Sequence, residues 1–339
     1  MATQSAPRPT PERIFNTLSA YQQTFALKAA IELDVFTKIG EGHDQAAAIA
    51  KSIDAPERGV RILCDYMTIQ GFLRKENGKY SLTPESATFL DKRSPAYIGS
   101  IGQFLAHDDN QRNFKTLVEA VRRGGGVFAS GDNTKPNDEF WVQFAESMAP
   151  ITVPAATFIA KLIEAQAGKP INVLDIAAGH GMYGITIAKQ NPNARVTAVD
   201  WPAVLEVAKK NAQKAGVGDR YSVRPGSAFD RDLGQDYDYV LLTNILHHFD
   251  QSACETLLRR VHASLKPSGK AITLEFVPNA DRISPPTAAA FSLVMLVNTD
   301  GGDAYTFAEY EAMLRNAGFG KSSLHAVQDM PQQVVVSEK

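Results

Sequence analysis

The side chains best suited to chemistry gather in the segment VLDIAAGHGMYGITIAKQ, residues 173–190, and at the aspartate beyond it, Asp200. An apolar run of strand character, Val173–Ile176, enters a turn of small residues, Ala177-Ala178-Gly179-His180-Gly181, that opens a helix. Small residues let a ligand approach the backbone closely. The helix start adds unpaired N–H groups and the positive end of the helix dipole. Asp200 closes the next strand-like run, ARVTAVD, nineteen residues past Gly181. That is close to the gap of about 20 residues at which an acid meets ribose hydroxyls. Gly179 alone can make a tight turn, and Asp200 alone can cap a helix before Pro202. Strand, turn, helix and acid together point to a cofactor that contains adenosine.

Two features separate the cofactor candidates. Ala177 occupies the first glycine position, so the turn is not the strict dinucleotide fingerprint. A fourth strand-like run, DYDYVLLTN, leads directly into ILHHFD, and GSAF follows the third. That layout is the one of class I methyltransferases and favours S-adenosyl-methionine (SAM) over NAD.

The elements that must position these residues are legible as alternation. INVLDIA, ARVTAVD, YSVRPG, YDYVLLTN and KAITLEF are apolar runs of strand length, separated by GITIAKQ, PAVLEVAKKNAQKAG and ACETLLRRVHASL. Strands alternating with helices predict an α/β, doubly wound, Rossmann-like parallel sheet. SSLHAV and QQVVVSEK add two more strands, the last antiparallel at or near an edge.

Upstream, residues 12–71 read as mostly helical, with Val60, Leu63, Cys64 and Met67 marking one apolar face. FLRKENGKYSLT then gives two short strands around Asn77-Gly78, a hairpin signal. Helices followed by a hairpin suggest a winged-helix-like module. Residues 1–94 hold twelve Lys/Arg and eleven Asp/Glu, so the basic face that a DNA reader needs is missing. A homodimerisation module fits better. Residues 95–165 form a helical linker and substrate lid rich in aromatics, with Trp141, Phe144 and Met148 on it, interrupted by the loop GGGVFASGDNTKPND. Residues 166–339 form the cofactor domain.

The whole chain agrees. Its formal charge of -2 offers no general pull on nucleic acid or an anionic membrane. The N-terminal segment lacks the apolar core of a secretory signal, and no apolar run is long enough to span a bilayer. Cys64 and Cys254 fall in different expected helices, which reads as two reduced thiols in a cytoplasmic protein. No Cys/His pair has metal-ligand spacing, so no metal is expected.

On LDIAAGHG, AVDWP, GSAF, LLTNILHHF, GKAITLEF and NTDGGDAYTFAEYEAMLRNAGF, the sequence resembles the O-methyltransferase family of the caffeic acid, acetylserotonin and bacterial polyketide or phenazine enzymes. The resemblance covers nearly the whole chain. It implies a SAM site built from Asp175, Ala177, Gly179, Gly181, Asp200, Trp201 and Asn244, with Ser227, Ala228 and Phe229 beside the adenine. It implies His247 as general base, Glu275 as the carboxylate that orients it, and Met295 as a wedge on the aromatic acceptor. Phe144, Met148, His248, Phe291 and Asn298 complete the implied acceptor site. One departure stands out: Ala304 occupies the place of a second acid beside the base in plant members, with Asp303 adjacent.

The chemistry so implied is O-methylation of a small aromatic acceptor, since a phenol, with a pKa of about 10, needs a base before it can attack. Read without the resemblance, His247 can simply close a strand-to-helix turn and Glu275 can be a strand-end charge. C-methylation, non-methylating SAM chemistry on the same fold and a DNA-binding regulator are the alternatives.

Overall fold

The computed structural model describes residues 9–127 and 138–339, so residues 1–8 and positions 128–137 of the expected loop over 124–138 lie outside it. Two compact units divide between His107 and Asp108.

In the first unit, helices Glu12–Ser19, Tyr21–Glu32, Val35–Gly40, Ala46–Ser52 and Glu57–Ile69 precede strands β1 (Leu73–Glu76) and β2 (Lys79–Leu82). The strands pair antiparallel. Asn77 and Gly78 both hold positive φ, 50° and 80°, as the tight two-residue hairpin turn requires. Val60, Cys64 and Met67 are buried with Val35, Phe36 and Ile49, so the apolar face read from the sequence is the core face. Asp65 fastens the hairpin to its helix, accepting from Tyr80 Oη at 2.7 Å and Lys75 Nζ at 2.5 Å. A further helix, Pro84–Phe89, is started by a capping box between Thr83 and Ser86. Helix Glu12–Ser19 buries no side chain; Ile14, Phe15 and Leu18 are 62%, 65% and 71% exposed.

The second unit holds β3 (Ile171–Ile176), β4 (Ala194–Asp200), β5 (Tyr221–Pro225), β6 (Tyr237–Thr243), β7 (Leu265–Phe276), β8 (Ser322–Ala326) and β9 (Gln332–Glu338). They form one sheet in the order β5-β4-β3-β6-β7-β9-β8. The first five are mutually parallel, and β9 runs antiparallel between β7 and β8, one place in from the edge. Alternate strand residues feed opposite faces. Val173, Val196, Leu241 and Ile272 pack with helices Asp138–Leu162, Met182–Gln190 and Pro202–Lys214. Leu174, Val199, Val240 and Leu242 pack with helices Gln251–Ser264 and Phe307–Asn316.

β7 starts five residues before the apolar run KAITLEF. Leu265 pairs with Tyr237 and Lys270 with Tyr239, so residues 266–269 bulge out of register. Their sequence, Lys-Pro-Ser-Gly, reads as a turn and hides the strand.

Candidate cofactor cleft and catalytic pair

Between β3 and β6 the strand order reverses, leaving a crevice at the carboxyl ends of the strands where doubly wound sheets bind ligands. The small-residue turn lies at that point. Ala177, Gly179 and Gly181 all have positive φ, 53°, 55° and 75°. Gly181 also has no room for a side chain, because a Cβ would fall 2.6 Å from Tyr221 Oη and 3.0 Å from Ala208 Cβ. At Gly179 the nearest atom is Phe144 Cε1 at 3.8 Å, so this glycine keeps open the floor of the cleft.

Asp200 ties the turn to the next strand. Its Oδ2 accepts from Gly179 N at 2.8 Å and its Oδ1 from Trp201 N at 2.7 Å. Burial pushes this carboxyl up to about 6. Asp175 lies beneath the turn, fully buried, accepting from Gly184 N at 3.3 Å through Oδ2 while Oδ1 has no partner. Burial raises it further, to about 7. His180 Nδ1 accepts from Met182 N at 3.1 Å, which places the ring proton on Nε2, and burial lowers this imidazole to about 4.

The turn, His180 and Asp200 border a cleft of about 1000 Å³, open solvent included. Ala177, Gly179, Asp200, Trp201 and Asn244 line it, as do Ser227, Ala228 and Phe229. Ser227 Oγ accepts from Phe229 N at 3.1 Å, and Asn244 Oδ1 is buried without a partner. Of the expected acceptor residues, Phe144 and His248 face the same cleft. Trp141, expected as one of the lid's aromatics, lines it too, as do Tyr183 and Thr243, to which the sequence gives no site signal. The acceptors fit SAM: Asp200 can take ribose hydroxyls and the partnerless Oδ1 of Asn244 suits an N–H group of the ligand, whereas Asp175 and Gly181 shape the turn without lining the cleft.

His247 and Glu275 lie behind this wall. His247 sits in the short turn of 3₁₀ helix Leu246–His248 that follows β6. Glu275 lies near the end of β7, the parallel neighbour of β6. Both are buried, with His247 Nδ1 2.5 Å from Glu275 Oε2. The other carboxylate oxygen accepts from Ile245 N at 2.9 Å and Leu246 N at 2.8 Å, so Glu275 also builds the turn that carries the histidine.

Helix Pro286–Asn298 brings Phe291 edge-on to His247, ring centres 4.9 Å apart, and stacks it on Phe276 at 3.9 Å. Met295 is buried on the same helix. Asn298 is held by Asn113 Nδ2 at 2.8 Å and donates to Val294 O at 2.9 Å. Met148 is half-buried and does not line the cleft. Ala304 is fully buried, whereas Asp303 pairs with Arg282 at 3.1 Å, an ion pair that draws its carboxylate away from acting in place of Ala304. No helix among the described residues is long and apolar enough to cross a membrane.

The family model for the O-methyltransferase domain matches residues 105–320, and that for the O-methyltransferase dimerisation domain matches residues 15–92. A solved Nostoc punctiforme structure assigned to the O-methyltransferases is 48% identical with a TM-score of 0.93, over 98% of this chain and all of that one. PigF, a SAM-dependent methyl transferase of Serratia, is 25% identical over 97% of this chain and 96% of its own. Its structure with S-adenosyl-homocysteine superimposes with a TM-score of 0.86 over 98% of this chain and 100% of that one. The 3-hydroxy-5-methyl-1-naphthoate 3-O-methyltransferase of Streptomyces sahachiroi is 28% identical over 91% of this chain and 89% of its own. The chain belongs to the SAM-dependent O-methyltransferase family, with a dimerisation domain ahead of its methyltransferase domain.

Proposed function

We propose that this enzyme methylates a phenolic hydroxyl of a small aromatic acceptor, with His247 as general base and Glu275 as the carboxylate that orients it. The observation that carries the reading is the buried His247–Glu275 pair at 2.5 Å. A carboxylate on Nδ1 fixes the ring proton there and leaves the Nε2 lone pair to take a proton. Bound SAM supplies a methyl group already activated on a sulfonium, so the protein's tasks are alignment and removal of the acceptor's proton. Phe276 and Phe291 beside the histidine, with Met295 buried on the helix that carries Phe291, suit the faces of a flat ring. The naphthoate acceptor named for the Streptomyces relative supports the aromatic class.

The site extends from the cofactor residues above to an acceptor side formed by Phe144, Met148, His248, Phe291, Met295 and Asn298. In domain terms, residues 1–94 hold a winged-helix-like homodimerisation module, 95–165 a linker and acceptor lid, and 166–339 the methyltransferase domain. The exposed apolar side chains of helices Glu12–Ser19 and Tyr21–Glu32 support the homodimer. Incubation with SAM and a library of phenols, read by mass spectrometry, tests the function. A product heavier by one methyl group and lost on alkylating the hydroxyl is expected. Methyl gain at carbon only, or none while SAM binds, would sink the reading.

A further inference from the structure

We infer that Trp141 is a cofactor-recognition residue, whose indole N–H donates to the α-carboxylate of SAM in a cleft whose described lining holds no Lys or Arg. This rests on the cofactor cleft and not on the identity of the acceptor.

The first observation is an orphan. Trp141 lines the cleft, and its Nε1 is buried with no hydrogen-bond partner. An indole N–H donates only. Left unpaired in a buried place, a donor loses its bonds to water and gains nothing in return. A ligand oxygen at that point removes the penalty.

The second observation is the charge of the walls. The described residues lining the cleft include Asp200 and no Lys or Arg, and Asp175 lies just beneath. On the wall itself, Asp200 and Asn244 Oδ1 are acceptors, suited to the ribose hydroxyls and N–H groups of SAM. Its α-carboxylate is the one anionic group of the molecule and needs donors. With no guanidinium or ammonium among the described residues of the wall, neutral N–H groups are the donors it offers.

The third is position. Trp141 lies edge-to-face with Phe144, ring centres 5.6 Å apart, and Phe144 stands over Gly179. It is also 5.6 Å from the His248 ring. Through Phe144 the indole neighbours the glycine turn, and it packs with Val204 and Val207 near the start of helix Pro202–Lys214, whose positive end favours an anion. Neutral donors also suit a site that must hold a sulfonium, since they bind the carboxylate without adding positive charge beside it.

The test compares ligands with and without the amino-acid part. Calorimetry on wild type and Trp141→Phe would use SAM, S-adenosyl-homocysteine and 5′-methylthioadenosine, which keeps nucleoside and sulfur but has no carboxylate. Phenylalanine preserves the aromatic contact and removes the donor. SAM and S-adenosyl-homocysteine should weaken by about tenfold or more, the usual worth of a hydrogen bond to a charged group. Methylthioadenosine should bind both proteins alike, which also shows that the cleft still folds. Trp141→His, which keeps a ring N–H, should recover part of the loss. Unchanged SAM affinity in Trp141→Phe, or equal weakening of all three ligands, would overturn the inference. Failure of the wild type to bind SAM at all would overturn the cleft assignment beneath it.

Discussion

Glu275 is committed at both oxygens: Oε2 to His247 Nδ1 at 2.5 Å, Oε1 to the N–H groups of Ile245 and Leu246. One carboxylate thus sets the path of the turn and the tautomer of the histidine on it. Loss of either role has a distinct signature.

His247→Ala removes the base and leaves the cofactor walls, because His247 does not line the cleft. SAM affinity should stay within about twofold, while kcat falls ~10²–10⁴-fold, the usual contribution of a positioned base. Steady-state kinetics with a phenolic acceptor, beside calorimetry with SAM, measures both. Near-normal turnover would make His247 structural.

Glu275→Gln tests the tautomer. Only the amide oxygen of Gln can accept from Ile245 and Leu246 N–H, so the NH₂ must face His247 Nδ1. A donor there forces the ring proton to Nε2, the nitrogen that has to accept. The loss in kcat should then approach that of His247→Ala, ~10²–10⁴-fold, with thermal stability little changed. A mild loss would mean that Glu275 only holds the turn.

The cofactor half of this site was legible because it is local. Val173 to Gly184 is one continuous strand, turn and helix, and Asp200 ends the adjacent strand. The closeness of His247 and Glu275 follows from β6 and β7 being parallel neighbours, with Thr243 opposite Leu274. Residue patterning suggested that neighbourhood, and the resemblance supplied the roles. Tyr183 was not legible as a site residue, since an aromatic on an apolar helix reads as core, and Trp141 was legible only as one of the lid's aromatics, not as a cofactor residue. What makes Trp141 a wall residue is a contact across more than 100 positions, to His248, that no local pattern encodes. The early start of β7 was hidden for the opposite reason, a turn-like Lys-Pro-Ser-Gly that bulges without ending the strand.

SAM binding should weaken in acid. Ribose hydroxyls donate to the carboxylate form of Asp200, and burial holds that carboxyl at about 6 in the cofactor-free protein. Below that pH a proton must leave before the cofactor binds, so Kd should rise about tenfold per pH unit. His180, held down near 4, stays neutral through the range. Calorimetry from pH 5 to 8 reads the slope, and Asp200→Asn should weaken binding about tenfold or more at pH 8 and flatten it. An affinity independent of pH in the wild type would place the ribose elsewhere.

Asp175 should make the cofactor-free protein less stable as pH rises. Its folded pKa, about 7, lies above the usual carboxylate value, so the folded state holds the proton more tightly than the unfolded chain. The stability this gives is complete below the unfolded pKa and lost as pH climbs through about 7. Asn at this position can still accept from Gly184 N–H and never ionises. Asp175→Asn should therefore raise Tm relative to wild type at pH 8, with the gain shrinking toward pH 5, while SAM binds more weakly. A Tm difference that does not vary with pH would mean the buried carboxyl is already neutral throughout.

The first unit should hold two chains together through helices Glu12–Ser19 and Tyr21–Glu32. Ile14, Phe15, Leu18, Tyr21 and Phe25 are large apolar side chains exposed on neighbouring turns, and the first of these helices buries nothing within its own chain. A contiguous apolar surface of this kind marks an interface. Ile14 and Leu18 are four residues apart, on one side of the helix, with Phe15 beside them. Light scattering should give about twice 36.8 kDa for the wild type. Replacing Phe15 and Leu18 together by Glu puts two charges on that face without touching the packed core of Val35, Phe36, Ile49 and Met67. The double variant should run near 36.8 kDa with an unchanged hairpin and helix content by circular dichroism. A variant that stays at the double mass would move the interface off these two helices.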